Sequence, residues 1–398
     1  MQMRNIHRIL SILVTVFTVY LGVTGTLIEM IDFRTLATHA PAIDPDRMAM
    51  REDFAGPPSF RVLGVADHNA PLLPHGADLP SMVQTVTHAA RHQFVSAPFK
   101  FVELRMDGAR PVGHVRIEQG EFRFDAQSGA FLGKAPEPRN EDMPPKSWRN
   151  NFKHLHRMTT FGNWALWINI MVSVALAVLI VTGVVIYWRV YAVRRRIKRS
   201  NPFWTAGGTL RHLHRSISIA AGLFITVVSL SGAWLAVESL MFSLYLEHTP
   251  GVFAVDPSAP LDDHALPSMA RATLAAYQRV APGQGLRVIR LRHFGGWRQG
   301  VVITPGDEAR QLVFDTATGR ALRLTEAGYP ETGFPFGWQA HQWAKSVHRG
   351  DFFGVTGRFT SFLSGLAMIY LSVSGVAMYW TMWQKRRASG RPAFFWKG

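Results

Sequence analysis

The sequence contains no cysteine. The chain therefore cannot form a disulfide, bind an iron–sulfur cluster through thiolates, or attach a haem covalently through a c-type motif. Any redox centre would have to be held by histidine or methionine. The sequence also lacks a Gly-rich dinucleotide or phosphate loop, a His-Glu-x-x-His motif and a Gly-x-Ser-x-Gly motif. A donor such as NADH would find no recognisable binding domain here.

Charge is scarce as well, at 18% of residues, and it is almost absent from four long stretches. These run approximately over 9–31, 164–188, 217–240 and 359–380. Each has about the 20 apolar residues that a helix needs to cross a bilayer. The sequence predicts an integral membrane protein with four transmembrane helices.

The net charge of +16 is concentrated beside these stretches. The basic residues that flank them on one side, with no acidic residue among them, are Arg4, Arg8, Arg189, Arg194, Arg195, Arg196, Lys198, Arg199, Arg211, Arg215, Lys385, Arg386, Arg387, Arg391 and Lys397. Short basic segments beside membrane spans stay in the cytoplasm, so both termini and the middle loop are expected inside. This placement accounts for the positive charge, and a nucleic-acid partner is not predicted.

The first stretch could instead be a cleaved signal peptide. Its apolar run is longer than a signal core, and no small-x-small cleavage site follows Gly25 directly. We interpret it as a membrane anchor. The resulting map is 1–31 for the N-terminus and first helix, 32–151 for an external module, 152–190 for the second helix, 191–215 for a basic loop, 216–241 for the third helix, 242–347 for a second external module, 348–384 for the fourth helix and 385–398 for a tail.

The two external segments follow one plan. In the first, a Pro-rich start precedes a helix over 81–94, with Ser81 as its cap, and strands near 99–106, 112–118 and 121–125. In the second, a helix over 267–280 precedes strands near 286–293, 300–304 and 310–315. Both series end in a Phe-Asp turn that closes on a glycine, Gly129 or Gly319. We predict an α+β module in each segment.

Four His-Arg pairs, the only ones in the chain, lie at or shortly before the four predicted spans. Their spacing to a glycine repeats: 18 residues from His7 to Gly25 and from His214 to Gly232, and 27 residues from His156 to Gly183 and from His348 to Gly375. The chain is therefore predicted to be an internal duplication of a unit of helix, external module and helix. Because each unit has two spans, both copies insert the same way round.

These features resemble the PepSY-associated transmembrane family. The resemblance lies in the His-Arg helix starts, the Thr-Gly and Ser-Gly pairs, the Tyr187-Trp188 and Tyr379-Trp380 helix exits and the Phe-Asp turns. It implies four spans with two PepSY modules outside the bacterial inner membrane. It also implies a link to iron uptake, since some members act as haem-containing reductases of iron–siderophore complexes.

Histidines from the two halves could serve as axial haem ligands, because a haem iron takes one ligand on each face. Symmetry pairs His7 with His214 at the inner level and His156 with His348 at the outer level. We therefore predict two b-type haems. Arg8, Arg215, Arg157 and Arg349 are expected to neutralise haem propionates. Gly25, Gly232, Gly183 and Gly375 are expected to leave room for the flat macrocycles.

Plainer interpretations exist for the same residues. A His-Arg pair suits the membrane interface without any cofactor, and small residues in spans commonly serve helix packing. His154, His212 and His341 are alternative ligands or neighbours of ligands, or spare interfacial histidines. The histidines without ligand spacing, interpreted as surface residues, are His39, His68, His75, His88, His92, His114 and His264.

Aromatic residues just before the fourth span could contact a substrate, although an interfacial aromatic belt is an alternative. The substrate-side candidates are Phe336, Trp338, His341 and Trp343, next to Phe334 and Pro335. The sequence thus favours a di-haem electron-transfer protein that reduces a ferric siderophore on the periplasmic side, with electrons from quinol or a partner protein. A haem-free PepSY module that binds periplasmic peptides or proteases is the alternative. A transporter is disfavoured, because the middle of the spans contains no ionisable residue.

Overall fold

The structure, a computed structural model, describes residues 3–52, 65–136, 146–248, 258–294, 296–307, 309–322 and 336–395. Two compact units are formed. One comprises Met1–Arg34, Trp148–Pro250 and Gly333–Gly398, and the other comprises Thr35–Ser147 and Gly251–Thr332. The first unit is helical and the second contains a sheet.

Within the described ranges the elements are, in chain order, α1 (Met3–Ala37), α2 (Pro45–Glu52), α3 (Val65–Asn69), α4 (Leu79–Gln93), β1 (Phe101–Asp107), β2 (Arg110–Ile117), β3 (Gly120–Asp125), β4 (Phe131–Lys134), α5 (Trp148–His156), α6 (Ala165–Arg196), α7 (Thr209–His248), β5 (Ser258–Ala259), α8 (Leu266–Val280), β6 (Val288–Phe294), β7 (Trp297–Ile303), β8 (Gln311–Asp315), α9 (Trp338–Arg349) and α10 (Gly354–Ala388).

Four of the described helices, α1, α6, α7 and α10, are long and apolar enough to cross a membrane. Their apolar side chains are widely exposed, as on Leu13, Val16, Val174 and Leu223. Such a surface would be costly in water and suits lipid. The protein is a membrane protein with four membrane-spanning helices and a separate α+β unit.

Two of the spanning helices are preceded by short, distinct helices, which sequence analysis did not predict. Helix α5 ends at His156, and Met158 in the left-handed region leads into a 3₁₀ turn over Thr159–Phe161 before α6 begins. Helix α9 ends at Arg349, and Gly350 leads into a 3₁₀ turn before α10 begins. The histidine and the glycine separated by 27 residues are therefore on different helices, His156 on α5 with Gly183 on α6, and His348 on α9 with Gly375 on α10.

Small residues let α1 and α10 approach each other closely. A Cβ added at Gly22 would come 2.7 Å from Ile369 Cγ1, and one added at Gly365 would come 2.6 Å from Thr26 Oγ1. The hydroxyls of Thr18 and Ser372 are 2.8 Å apart across the same contact. This is the common use of glycine between membrane helices.

The second unit contains one antiparallel sheet in the order β4-β3-β2-β1-β6-β7-β8, with β5 paired to β6. Strand β1 from the first external segment pairs directly with β6 from the second, for example Leu104 with Ile289. Sequence analysis predicted the strands of each segment but not this joining. Helices α4 and α8 pack against the sheet through one hydrophobic core that includes Val86, Leu104 and Tyr277.

Corresponding details recur in the two parts of this sheet. An added Cβ at Gly113 would come 2.2 Å from Val86, and one at Gly300 would come 1.7 Å from Thr273 Oγ1, so both glycines let a helix lie close to a strand. Helix α4 begins differently from the prediction, because Asp78, not Ser81, is its cap. The Asp78 carboxylate accepts a hydrogen bond from the Ser81 N–H at 3.1 Å.

Candidate functional site

Each of the four histidines predicted as ligands contacts a hydroxyl on another helix, and that hydroxyl belongs to the residue just before one of the four predicted glycines. The Nδ1-to-oxygen distances are 2.9 Å for His7 and Thr182, 2.9 Å for His156 and Thr24, 2.7 Å for His214 and Ser374, and 3.3 Å for His348 and Ser231. The Thr-Gly and Ser-Gly pairs thus hold the imidazoles.

The direction of these hydrogen bonds follows from the other contacts of the hydroxyls. Thr24 Oγ1 donates its single hydrogen to the carbonyl of Tyr20 at 2.8 Å, and Thr182 Oγ1 donates to Val178 at 2.7 Å. Their oxygens are then left to accept from histidine. Each Nδ1 is therefore the protonated nitrogen, and each Nε2 carries a free lone pair.

The second half of the chain gives the same assignment. His348 Nδ1 lies 2.9 Å from the Val228 carbonyl, which can only accept. Ser231 and Ser374 also donate to backbone carbonyls on their own helices. In the part of the chain that the structure describes, none of the four Nε2 atoms has a hydrogen-bond partner. A neutral imidazole with Nδ1–H fixed and Nε2 free is the form that binds a metal.

The glycines make room for the histidine rings. An added Cβ would lie 3.2 Å from His156 Cε1 at Gly25 and 3.3 Å from His7 Cε1 at Gly183. The distance is 2.9 Å from His348 Cε1 at Gly232 and 3.8 Å from His214 Cε1 at Gly375. Sequence analysis assigned the space beside each glycine to a haem macrocycle. The structure shows the histidine of another helix against each glycine.

The histidines are grouped into two pairs, each with one member from each half of the chain. In pair B, His156 and His348, the ring centres are 6.2 Å apart and the planes are inclined by 45°. In pair A, His7 and His214, the rings are close enough to interact electrostatically. The two pairs lie at opposite ends of α1, since His7 belongs to pair A and Gly25 contacts pair B.

The spacing in pair B fits one metal between two imidazoles. Because a bond from a metal to an imidazole nitrogen is about 2.0–2.1 Å long, ring centres at this separation would allow both imidazoles to hold one metal. Within the described residues no three His, Cys, Asp or Glu side chains converge on one point. The donor set therefore suits a group that needs only two protein ligands, as a haem does.

Burial acts on the ionisation of pair B. It is the main cause that lowers the pKa of His156 to about 4, and the neighbouring His348 lowers it further. Burial likewise lowers the pKa of His348. Both imidazoles are therefore neutral at neutral pH, as metal binding requires.

The arginines of the four His-Arg pairs have contacts of their own. Arg8 donates to Asn5, Arg215 donates to the carbonyls of Trp204 and Ala206, Arg157 donates to Ser239, and Arg349 donates to Asp32. A role with propionates stays a prediction for all four.

A buried ion network beside pair B was missed by sequence analysis. Asp32 on α1 is bound by Arg149 at 2.5 Å and by Arg358 at 3.0 Å, and Arg358 also binds Asp351. Arg149 and Asp32 are each 1% exposed. A signal for this network was available, since Asp32 and Arg358 border apolar runs where a charge needs a partner.

The second-tier histidines lie outside the pairs. His154 is exposed and contacts Thr159 at 3.1 Å, and His212 Nδ1 is 3.0 Å from the Trp204 carbonyl. His341 is held by Glu238 at 2.6 Å. Among the described residues, none of these three histidines occupies the position of a histidine of pair A or pair B.

The substrate-side aromatics are partly described. Phe336 is 43% exposed and packs against Trp234 with ring centres 4.7 Å apart, and Trp343 is 52% exposed and packs against Phe352 at 5.3 Å. Phe334, Pro335 and the side chain of Trp338 lie outside the described residues.

Two of the histidines interpreted as surface residues are buried, and that interpretation was wrong for them. His68 is 7% exposed and His114 is 9% exposed. His114 Nδ1 lies 2.6 Å from Glu121 Oε1, across neighbouring strands. The remaining five, His39, His75, His88, His92 and His264, are exposed. Alternation could not have signalled the burial of His114, because residues 111–115 of β2 are all buried and the residues two positions away include the exposed Arg116.

A family model for the PepSY-associated TM region matches residues 4–381. The chain belongs to this family. A comparison with curated proteins finds no match. The match includes all four candidate histidines and most of each spanning helix, so the histidine pairs are features of a PepSY-associated transmembrane protein.

Proposed function

We propose that this protein is a di-haem electron carrier of the bacterial inner membrane that reduces a ferric siderophore on the periplasmic side. The observation that carries the proposal is the state of the four histidines. Each is fixed through Nδ1 by a hydroxyl of another helix, each has Nε2 free, and the rings of pair B have the spacing of two ligands on one metal.

His7 and His214 would hold one haem b, and His156 and His348 would hold the other. A bound haem supplies a one-electron centre that cycles between ferric and ferrous iron. The protein supplies the rest. Thr182, Thr24, Ser374 and Ser231 would orient the ligand nitrogens. Burial at pair B would keep its two imidazoles neutral by lowering their pKa.

The separation of the two pairs along α1 is close to the thickness of the hydrocarbon core of a bilayer. His7 and Gly25 are 18 residues apart on α1, which corresponds to about 27 Å along a helix. Electrons would enter at pair A on the cytoplasmic side, from quinol or a partner protein. They would leave at pair B, where the exposed aromatic residues Phe336 and Trp343 are available to a bulky external ligand.

The orientation rests on the basic ends of the helices. Helix α6 ends in Arg194, Arg195 and Arg196, and α10 ends in Lys385, Arg386 and Arg387. These ends lie at the level of pair A, because Gly183 and Gly375 near them contact His7 and His214. Basic segments are retained inside, so pair A faces the cytoplasm and the sheet unit is periplasmic.

We also infer that the chain arose by duplication of a unit of span, PepSY module and span. The recurring His-hydroxyl contacts in the two halves support this, as do the close glycine contacts at Gly113 and Gly300 in the sheet. In both halves the histidine of pair B lies in the last turn of a short helix that is separate from the span.

An absorption spectrum of the purified protein in detergent tests the function. A protein produced under haem-sufficient conditions should show reduced b-type bands and about two haems per chain, as two bis-histidine sites require. A colourless protein would refute the proposal and would favour a haem-free PepSY module that binds periplasmic peptides or proteases. Reoxidation of the reduced protein by a ferric hydroxamate or ferric catecholate then tests the substrate class.

A further inference from the structure

Glu238 is a buried carboxylate on a spanning helix that the proposed electron path does not use. It is 2% exposed, and its Oε2 lies 2.6 Å from His341 Nδ1 on α9. Its other oxygen, Oε1, is buried and has no hydrogen-bond partner among the described residues. An ionisable pair inside a membrane domain is costly, and it calls for a functional explanation.

The same position in the first half is built differently. His341 is seven residues before His348, and Arg149 is seven residues before His156. Arg149 is paired with Asp32, which also accepts from Arg349 and Arg358, so this carboxylate is saturated by permanent cations. An arginine–aspartate ion pair, which does not change its protonation, is therefore sufficient for packing at this position. The second half instead has a histidine, whose imidazole can gain or lose a proton.

The surroundings of His341 include further charges. Lys345, one turn along α9, and Arg157 both act on it as positive charges. Burial first, and then these cations, lower the pKa of His341, although the hydrogen bond to Glu238 opposes them. On the segments packed against the other end of α9, Asp351 and Arg358 are bound to each other.

We propose that Glu238 and His341 take up a proton when an electron arrives at pair B. The reason is electrostatic: an added negative charge in a weakly polar interior is unfavourable, and a proton bound nearby offsets it. Seven residues along α9 place His341 about 10 Å from His348. The inference rests on the proposed function, because it requires a redox centre at pair B.

The route for the proton is indicated by exposure. The side chain of His341 is 18% exposed and that of Glu238 is 2% exposed. A proton from external water therefore reaches His341 first and passes to Glu238 along their hydrogen bond. With haem bound at pair B, the electron would come from the quinol or partner protein of the proposed function and the proton from external water. One proton bound by Glu238 and His341 would then balance the charge of each electron.

The test is the pH dependence of the two midpoint potentials, measured by spectroelectrochemistry on the full-length holoprotein. In the wild type, the potential of pair B should fall as pH rises, with about one proton bound per electron. Glu238→Gln and His341→Arg should flatten this dependence at pair B. The second variant reproduces the permanently charged arrangement of the first half. His154→Gln, which removes an exposed histidine outside pair B, should keep the wild-type slope.

A second measurement does not need the haem. Infrared difference spectra of the protein between acidic and alkaline pH should contain a carboxylic-acid band that Glu238→Gln lacks. Wild-type haems whose potentials do not depend on pH would overturn this inference and leave the proposed function standing, as would an unchanged slope in both variants. Failure of the wild type to bind haem would instead remove the proposed function itself.

Discussion

Pair A and pair B use the same chemistry in different settings. His7 and His214 lie within the first turns of the continuous helices α1 and α7. His156 and His348 lie at the ends of short separate helices. A salt-bridge network of Asp32, Arg149 and Arg358 includes Arg349, the residue after His348. Both pairs have the hydroxyl and glycine contacts, so these contacts serve to hold the imidazole rings in place. Among the described residues, the helix breaks and the ion network occur beside pair B and not beside pair A.

The largest expected effect is the loss of one haem from one pair. His214→Ala should reduce the haem content from about two to about one per chain, with pair B retained, because a bis-histidine site has no spare ligand. His212→Ala is the matched control, since His212 is two residues away and contacts the Trp204 carbonyl. Pigment analysis and redox titration provide the measurement, and two haems in His214→Ala would disprove the assignment of pair A.

Arg149→Ala should lower the stability of the protein and should affect pair B more than pair A. Removing one partner from a buried ion pair costs about 3–5 kcal/mol, because an uncompensated charge remains. The side chains of Arg149 and Asp32 are 2% and 1% exposed. The variant should unfold at lower temperature and lose haem from pair B before pair A. Arg123→Ala removes a pair with Asp107 that is 25% and 57% exposed, and should cost about 0–1 kcal/mol. Equal effects of the two variants would contradict the ranking.

Alanine at the four glycines should produce graded effects. Gly232→Ala places a Cβ 2.9 Å from His348 Cε1, whereas Gly375→Ala places one at an ordinary 3.8 Å from His214 Cε1. Crowding of a packed site costs about 1–3 kcal/mol, so Gly232→Ala should weaken haem retention at pair B. Gly375→Ala should leave pair A nearly unchanged. Haem release monitored during mild heating measures both, and a larger loss in Gly375→Ala would refute the geometry.

The smallest effect is expected from the hydroxyls. Thr24→Val keeps the shape of the side chain and removes the acceptor for His156 Nδ1, which lies 2.9 Å away. Loss of such a partner of a ligand typically lowers metal affinity about 10–100-fold. Thr24→Ser should restore the affinity, since it keeps the hydroxyl. Competition with a haem-binding apoprotein measures the ratio, and a wild-type affinity in Thr24→Val would show that the hydroxyl does not position the ring.

Much of the candidate site was predictable from the repeated spacing of residues in the sequence. The His-Arg pairs and their repeated distances to Gly25, Gly183, Gly232 and Gly375 singled out the residues that the structure brings together. Each predicted strand is present within a few residues of its expected bounds. The contacts of the glycines were harder to predict. A repeated spacing relates a histidine to a glycine in the sequence, but it does not indicate which helix packs against that glycine.

The sequence by itself determined the spans, the absence of cysteine ligands and the four histidines, since hydrophobicity and residue type are local properties. Only the tertiary structure decided that Thr24, Thr182, Ser231 and Ser374 hold the imidazoles, that the strands of both external segments form one sheet, and that Asp32 is neutralised by three arginines. These features depend on contacts between residues more than 100 positions apart, such as Thr24 with His156 and Asp32 with Arg149. Helix packing sets such contacts, and local pattern does not encode them.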